Sequence, residues 1–188
     1  MPFSFKQCFT KEEVPIEGLF EILPKIYEDS RGYFFESYSQ HDFIRLGLNT
    51  LFVQDNQSKS VKGVLRGLHF QKEHPQGKLV RVIQGEVFDV AIDIRFNSKT
   101  YGKWYSVILN ENKNNMFYIP PGFAHGFLVL SDICIFTYKC TDFYYPSDES
   151  GILWNDPTIG IEWPDLDKDY IISEKDKKLN FFYDLANW

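Results

Sequence analysis

Four side chains able to move or stabilise charge stand out in an aromatic-rich chain. Arg66, His69 and Lys78 fall within residues 63–84, GVLRGLHFQKEHPQGKLVRVIQ. An imidazole moves a proton near neutral pH, and two cations can hold an anion or an enolate oxygen. The fourth is Tyr138, in the run ICIFTYKC at 133–140. A phenol can return a proton if nearby cations stabilise its oxyanion. Taken singly, His69 also fits a satisfied strand histidine, and Tyr138 a core tyrosine with its hydroxyl at the rim. Arg66 and Lys78 make poor core residues, however, and Gly63 and Gly67 leave room for something to approach. The set points to proton transfer.

The spacing raises a problem. Arg66 and His69 are three apart, so a regular strand points them to opposite faces. Both reach one site only if the strand bulges or bends, and Gly67 is the place for it. His125, in IPPGFAHGF, enters a strand after a Pro-Pro-Gly turn. It fits a strand-entrance histidine or a metal ligand. Small β-barrels of the cupin type often bind a metal through three histidines and a glutamate, which needs an H-x-H pair. Here that position reads His69-Phe70-Gln71, one ligand short, so no catalytic metal is expected. Asp176 closes a Ser173-x-x-Asp176 capping-box pattern, but it could equally accept a bond from a histidine and fix its tautomer. Arg31, Glu36, Gln54, Asn56 and Glu149 sit at turn or strand ends, where polar surface residues are the default.

The elements that must hold these groups are short strands. The apolar runs FSFKQCF and LFEILPKIYED are broken by Pro15, Gly18 and Pro24. An aromatic strand is expected over 33–38, a short helix over 40–47 ending at Gly47, and a strand over 51–56. Further strands are expected over 63–71, 78–84, 86–95, 104–109, 116–119, 127–130 and 133–140, with 78–84 and 86–95 forming a hairpin about Gly85. The tail turns polar after Pro164, and Ser173-Glu174-Lys175-Asp176 can open a short helix that docks through residues 180–183. This pattern indicates an all-β sandwich or barrel, and 188 residues suit one domain, or one domain with extensions. A net charge of −6 argues against a nucleic-acid binder working through a global positive field. Cys8, Cys134 and Cys140 have no paired spacing, so a reducing compartment is expected. No apolar run approaches the roughly 18 residues of a membrane span. Together with an N-terminus lacking a long apolar stretch, this points to the cytoplasm.

At GVLRGLHFQ, QGKLVRVIQGEVFDVAIDIR, IPPGFAHGF, YKCTDFYYP and GILWNDPTIGIEWP the chain resembles the dTDP-4-dehydrorhamnose 3,5-epimerases, with the motifs in order from about Phe20 to Asp176. The resemblance implies an all-β, cupin-type jelly-roll barrel spanning 1–188 as one domain. It implies a homodimer contacted through strands in 1–60, a tail over 165–188 with a short helix, and no metal or other cofactor. The implied substrate is a dTDP-4-keto-6-deoxy sugar inverted at carbons 3 and 5, with no nucleic-acid or membrane partner. A monofunctional 3- or 5-epimerase and an idle nucleotide-sugar binder stay open beside it. The catalytic residues it implies are His69 as base, Asp176 as its partner, Tyr138 as acid, and Lys78 at the enolate with His125. Gln54, Asp55, Asn56, Arg66, Glu149 and Lys175 fall at ligand-binding positions, and Arg31 and Glu36 resemble the part that reaches into a partner's site.

Overall fold

The computed structural model describes residues 8–48 and 50–187, and the side chains of these up to 184. The expected strand character of residues 3–7 lies outside that range. The first sheet runs β1 (Phe9–Glu13), β2 (Phe20–Pro24), β10 (Met116–Ile119), β7 (Lys78–Gln84), β12 (Ile133–Cys140) and β5 (Gln54–Val61). The second runs β13 (Glu149–Gly151), β6 (Val64–Gln71), β11 (Phe123–Val129), β8 (Glu86–Asp93) and β9 (Trp104–Asn110), with β14 (Ile171–Ile172) parallel beside β6. A small hairpin, β3 (Tyr27–Asp29) and β4 (Gly32–Phe34), stands apart from both.

The expected closed barrel does not form. Both sheets are open: β1 and β5 edge the first, β13 and β9 the second, and among the described residues no ladder joins them. The expected hairpin about Gly85 is also absent, and for a related reason. One residue between two strands is too short for the two-residue turn that folds a strand back on its neighbour. Gly85, at φ +86°, instead turns the chain from β7 in one sheet to β8 in the other. A Cβ there would lie 2.2 Å from the Ile133 carbonyl oxygen, so only glycine fits the corner. The two sheets pack face to face through Val80, Val82 and Phe136 on one side and Val87, Ala91 and Phe127 on the other. The Phe127 and Phe136 rings stack across this core at 4.2 Å.

Each sheet is covered on its outer side as well. Helix α1 (Gln40–Arg45) starts at Ser39, whose hydroxyl accepts the Asp42 N–H, and Gly47 follows its end at φ +82°. Its Phe43 is buried against Phe9, Ile22 and Met116 of the first sheet. Such a ring contributes about 2–3 kcal/mol of burial. The second sheet is covered by the C-terminal segment, where Ile152, Ile159 and Phe182 pack on Leu68, Val90 and Ile92. β11 is therefore buried at every position, which an alternating pattern would not produce. Asp156 locks the segment down, accepting the Thr158 and Ile159 N–H groups on one oxygen and the Phe182 N–H on the other. The helical parts of the tail are short 3-10 turns, Asp176–Lys178 and Phe182–Asn187.

Element bounds differ where polar residues conceal a strand. β5 begins at Gln54 and continues through QSKSV to Val61, because it pairs with β12 along its whole length. The aromatic stretch after Gly32 stays in strand form only to Phe34; Phe35 and Tyr38 leave the ladder and pack toward α1. No helix among the described residues is long and apolar enough to cross a membrane.

Candidate active site

Gly67 carries the bend that lets Arg66 and His69 share a site. It sits at φ +121°, opposite Gly126 of β11, and the β6–β11 register shifts between His125 and Phe127. A Cβ on Gly67 would lie 2.6 Å from the Gly126 Cα, and one on Gly126 2.6 Å from the Arg66 carbonyl oxygen. The two backbones can approach this closely only as glycines. Arg66 and His69 consequently line one cavity of about 630 Å³ between the sheets, along with Lys78, His125, Tyr138 and Asp176.

His69 is held from the tail. Its Nε2 lies 2.9 Å from Asp176 Oδ1, although the two residues are 107 apart in sequence. Asp176 Oδ2 accepts the Gly67 N–H at 3.2 Å, and the Asp176 N–H donates to the Ser173 hydroxyl at 3.0 Å. Half of the capping pattern is thus present, but the carboxylate serves His69 and the Gly67 bend rather than the turn's own backbone. Burial works to raise the Asp176 carboxyl, and the bonds from His69, Gly67 and Ser173 outweigh it, leaving it below the usual range. An ionised Asp176 assigns the proton to His69 Nε2 and leaves Nδ1 as the basic atom. The Glu149 carboxylate stands 4.0 Å from that Nδ1, too far for a hydrogen bond.

Lys78 and Tyr138 come from the other sheet. Among the described residues no side-chain nitrogen or oxygen is both sealed and without a hydrogen-bond partner. Lys78 Nζ and Tyr138 Oη have no hydrogen-bond partner among those residues, so both open on cavities. Burial lowers the Lys78 pKa, against the opposing pull of Cys140, Asp89 and Glu149. Burial raises the Tyr138 pKa, so the phenol stays protonated at neutral pH, while Arg66 works the other way by favouring the phenolate. His125 is bonded through Nε2 to both oxygens of Asp89, each at 3.0 Å. Two imidazoles, an ammonium and a protonated phenol in one cavity can remove, stabilise and return a proton.

The remaining candidates divide by face. Gln54 donates to Asn56 at 3.0 Å and accepts the Tyr144 N–H, and Asn56 lines the cavity. Asp55, between them on β5, points to the opposite face and pairs with Lys139 at 2.8 Å. Arg66 donates to the Ser60 hydroxyl at 3.2 Å. Lys175 and Tyr144 both donate to Glu149 at the cavity rim. Burial would raise the Glu149 carboxyl, but these two bonds hold it below its ordinary value. Arg31 and Glu36 do not reach the cavity: Arg31 lies on the exposed hairpin and pairs with Asp29, and Glu36 is exposed just beyond it. Cys8, Glu36 and Asp42 form a group of three possible metal ligands, none of which lines the cavity. Sequence reasoning missed Asp89, Ser60 and Tyr144. Asp89 carried a readable signal, a carboxylate inside the apolar strand EVFDVAID.

Comparison with known proteins agrees with this geometry. The dTDP-4-dehydrorhamnose 3,5-epimerase of Methanothermobacter thermautotrophicus is 58% identical over 163 residues, covering 86% of this chain and 88% of the relative. That of Escherichia coli is 51% identical over 166 residues, covering 87% and 89%. The crystal structure of dTDP-6-deoxy-D-glucose-3,5-epimerase from Legionella pneumophila, in complex with dTDP-4-keto-L-rhamnose, superposes with a TM-score of 0.89 at 49% identity, covering 92% of each chain. The family model described as dTDP-4-dehydrorhamnose 3,5-epimerase matches residues 13–184, which take in every residue lining the cavity, and the chain belongs to that family.

Proposed function

We propose that this chain is an enzyme that inverts carbons 3 and 5 of dTDP-4-dehydro-6-deoxy-D-glucose, giving dTDP-4-dehydro-L-rhamnose. The observation that carries the reading is the His69–Asp176 pair sharing one cavity with the open ends of Lys78 and Tyr138. The 4-ketone acidifies the hydrogens on both neighbouring carbons. His69 Nδ1 takes one of them, and the C–H electrons move into an enolate whose oxygen lies on carbon 4. The Lys78 ammonium supplies positive charge at that oxygen, with His125 beside it, so the scheme calls for no metal. One aimed donor in a water-poor site is worth about 3 kcal/mol. Tyr138 delivers a proton to the opposite face of the carbon, and Arg66 favours the phenolate left behind. Exchange with solvent resets both groups, and a second round inverts the other carbon.

Gln54, Asn56, Arg66, Glu149 and Lys175 are the proposed contacts for the nucleotide diphosphate and sugar, with the guanidinium and ammonium groups placed for phosphate. Arg31 and Glu36 are proposed to serve the site of a second copy. Support comes from neither residue lining its own cavity and from the exposure of Tyr33 and Phe34 on the hairpin that carries Arg31. A homodimer mass in light scattering is expected, and a monomer at working concentration would contradict it. The free thiols of Cys134 and Cys140 fit a reducing compartment, and we place the protein in the cytoplasm. The test of function is proton NMR of the substrate in D₂O with the purified enzyme. Loss of the signals at carbons 3 and 5 is expected. Loss at one carbon would make it a monofunctional epimerase, and loss at neither would remove the reading.

A further inference from the structure

We propose that Asp89 is a positioning residue for this reaction: it holds His125 by Nε2 so that Nδ1 faces the cavity beside Lys78, and its carboxylate acts on the charge at that end of the cavity. The inference rests on the function proposed above. Asp89 is fully buried and shares the inner face of β8 with Val87 and Ala91, which belong to the apolar core. A carboxylate in that position is costly unless bonded, and its side-chain bonds among the described residues go to His125 alone. An apolar side chain would fill the same space without that cost, so packing does not account for the residue.

Asp89 does not line the cavity, whereas His125 does. With Nε2 committed to the carboxylate, Nδ1 is the ring atom left for a ligand. Nδ1 has no partner among the described residues and is not sealed, so it opens on the cavity. The charged and titratable groups facing this cluster are Lys78 of β7, His125 of β11, His69 of β6, and Cys134 and Cys140 of β12, with Glu149 bearing on Lys78. Burial lowers both Lys78 and His125, and in each case the Asp89 charge pulls the other way. Burial likewise raises Asp89, while His125 and Lys78 pull it down. Removing the carboxylate therefore removes a charge that favours the cationic form of both partners.

The test uses the intact enzyme and Asp89→Asn, which keeps the shape and removes the charge. We expect kcat to fall by about 10- to 1,000-fold, up to the cost of a whole oxyanion donor. KM and dTDP affinity should hold, since only a transition-state contact is lost. The basic limb of the kcat–pH profile should move to lower pH, which a packing defect would not produce. A folded Asp89→Asn enzyme with unchanged kcat and pH profile overturns the proposal. A second measurement needs neither substrate nor a variant: nitrogen-15 NMR of histidine-labelled wild type should show His125 with its proton on Nε2, and a proton on Nδ1 alone overturns the proposal. Absence of substrate exchange in the wild type would instead remove the function reading, leaving the Asp89 contact to the nitrogen-15 result.

Discussion

Two histidines of this cavity are each bonded to an aspartate, and His69 and His125 are opposite each other in the β6–β11 register. They are built differently. The His125–Asp89 pair lies on the adjacent strands β11 and β8, with side-chain exposures of 8% and 0%. The His69–Asp176 pair joins a strand to the C-terminal tail, and the His69 side chain is 28% exposed. One pair is fixed by the sheet ladder and can only supply a constant field. The other is as well placed as the tail is docked, and it keeps a basic nitrogen in contact with the cavity. On the proposed function, the more buried pair holds charge and the more open pair moves protons.

The largest expected effect comes from the open pair. His69→Asn should lower exchange at both carbons by about 10²- to 10⁴-fold or more, the usual share of a general base, with dTDP affinity unchanged in calorimetry. Tyr138→Phe should reduce inversion by about 10²-fold or more yet leave His69 able to wash deuterium into the substrate. Exchange outrunning inversion is the expected NMR signature, and equal losses of both would blur the division of labour. Asp176→Asn should cost about 10- to 100-fold in kcat, as removal of an orienting partner commonly does.

Acid should separate the pairs without mutation. The Asp176 carboxyl lies below its ordinary value in the fold. Its contribution is therefore complete above about pH 4, the unfolded value, and is lost as pH falls through the folded value. Hydrogen exchange of the tail should quicken over that window while β8 and β11 stay protected. The smallest effect on activity should come from Phe182→Ala. It removes the ring that packs on Tyr101 and costs about 3 kcal/mol, spent in loosening the tail. A modest fall in kcat is expected with the His125 resonance unmoved; a moved His125 resonance would mean the two pairs are coupled.

Much of the site was legible because its chemistry is local. The bounds of β7, β10 and β12 follow from apolar runs cut by turn residues, and the need for a bend at Gly67 follows from the spacing of Arg66 and His69 alone. Partnership between strands was not legible. Whether β7 pairs with β8 or crosses to the other sheet depends on Gly85 meeting the start of β12, a contact distant in sequence. Open sheets and a closed barrel share the same strand pattern, so closure could not be read from it. The Asp176 ambiguity was real, since its N–H donates to the Ser173 hydroxyl while its side chain is bonded to His69. The face of Asp55 was readable from period-two alternation with Gln54 and Asn56, but the motif that contains all three obscured it.

The central claim is that His69 is the base for both carbons. Proton NMR of dTDP-4-dehydro-6-deoxy-D-glucose in D₂O with His69→Asn tests it most directly. The variant is expected to bind the substrate while both carbon-bound hydrogens persist long after the wild type has exchanged them. Exchange at wild-type rate at either carbon would contradict it.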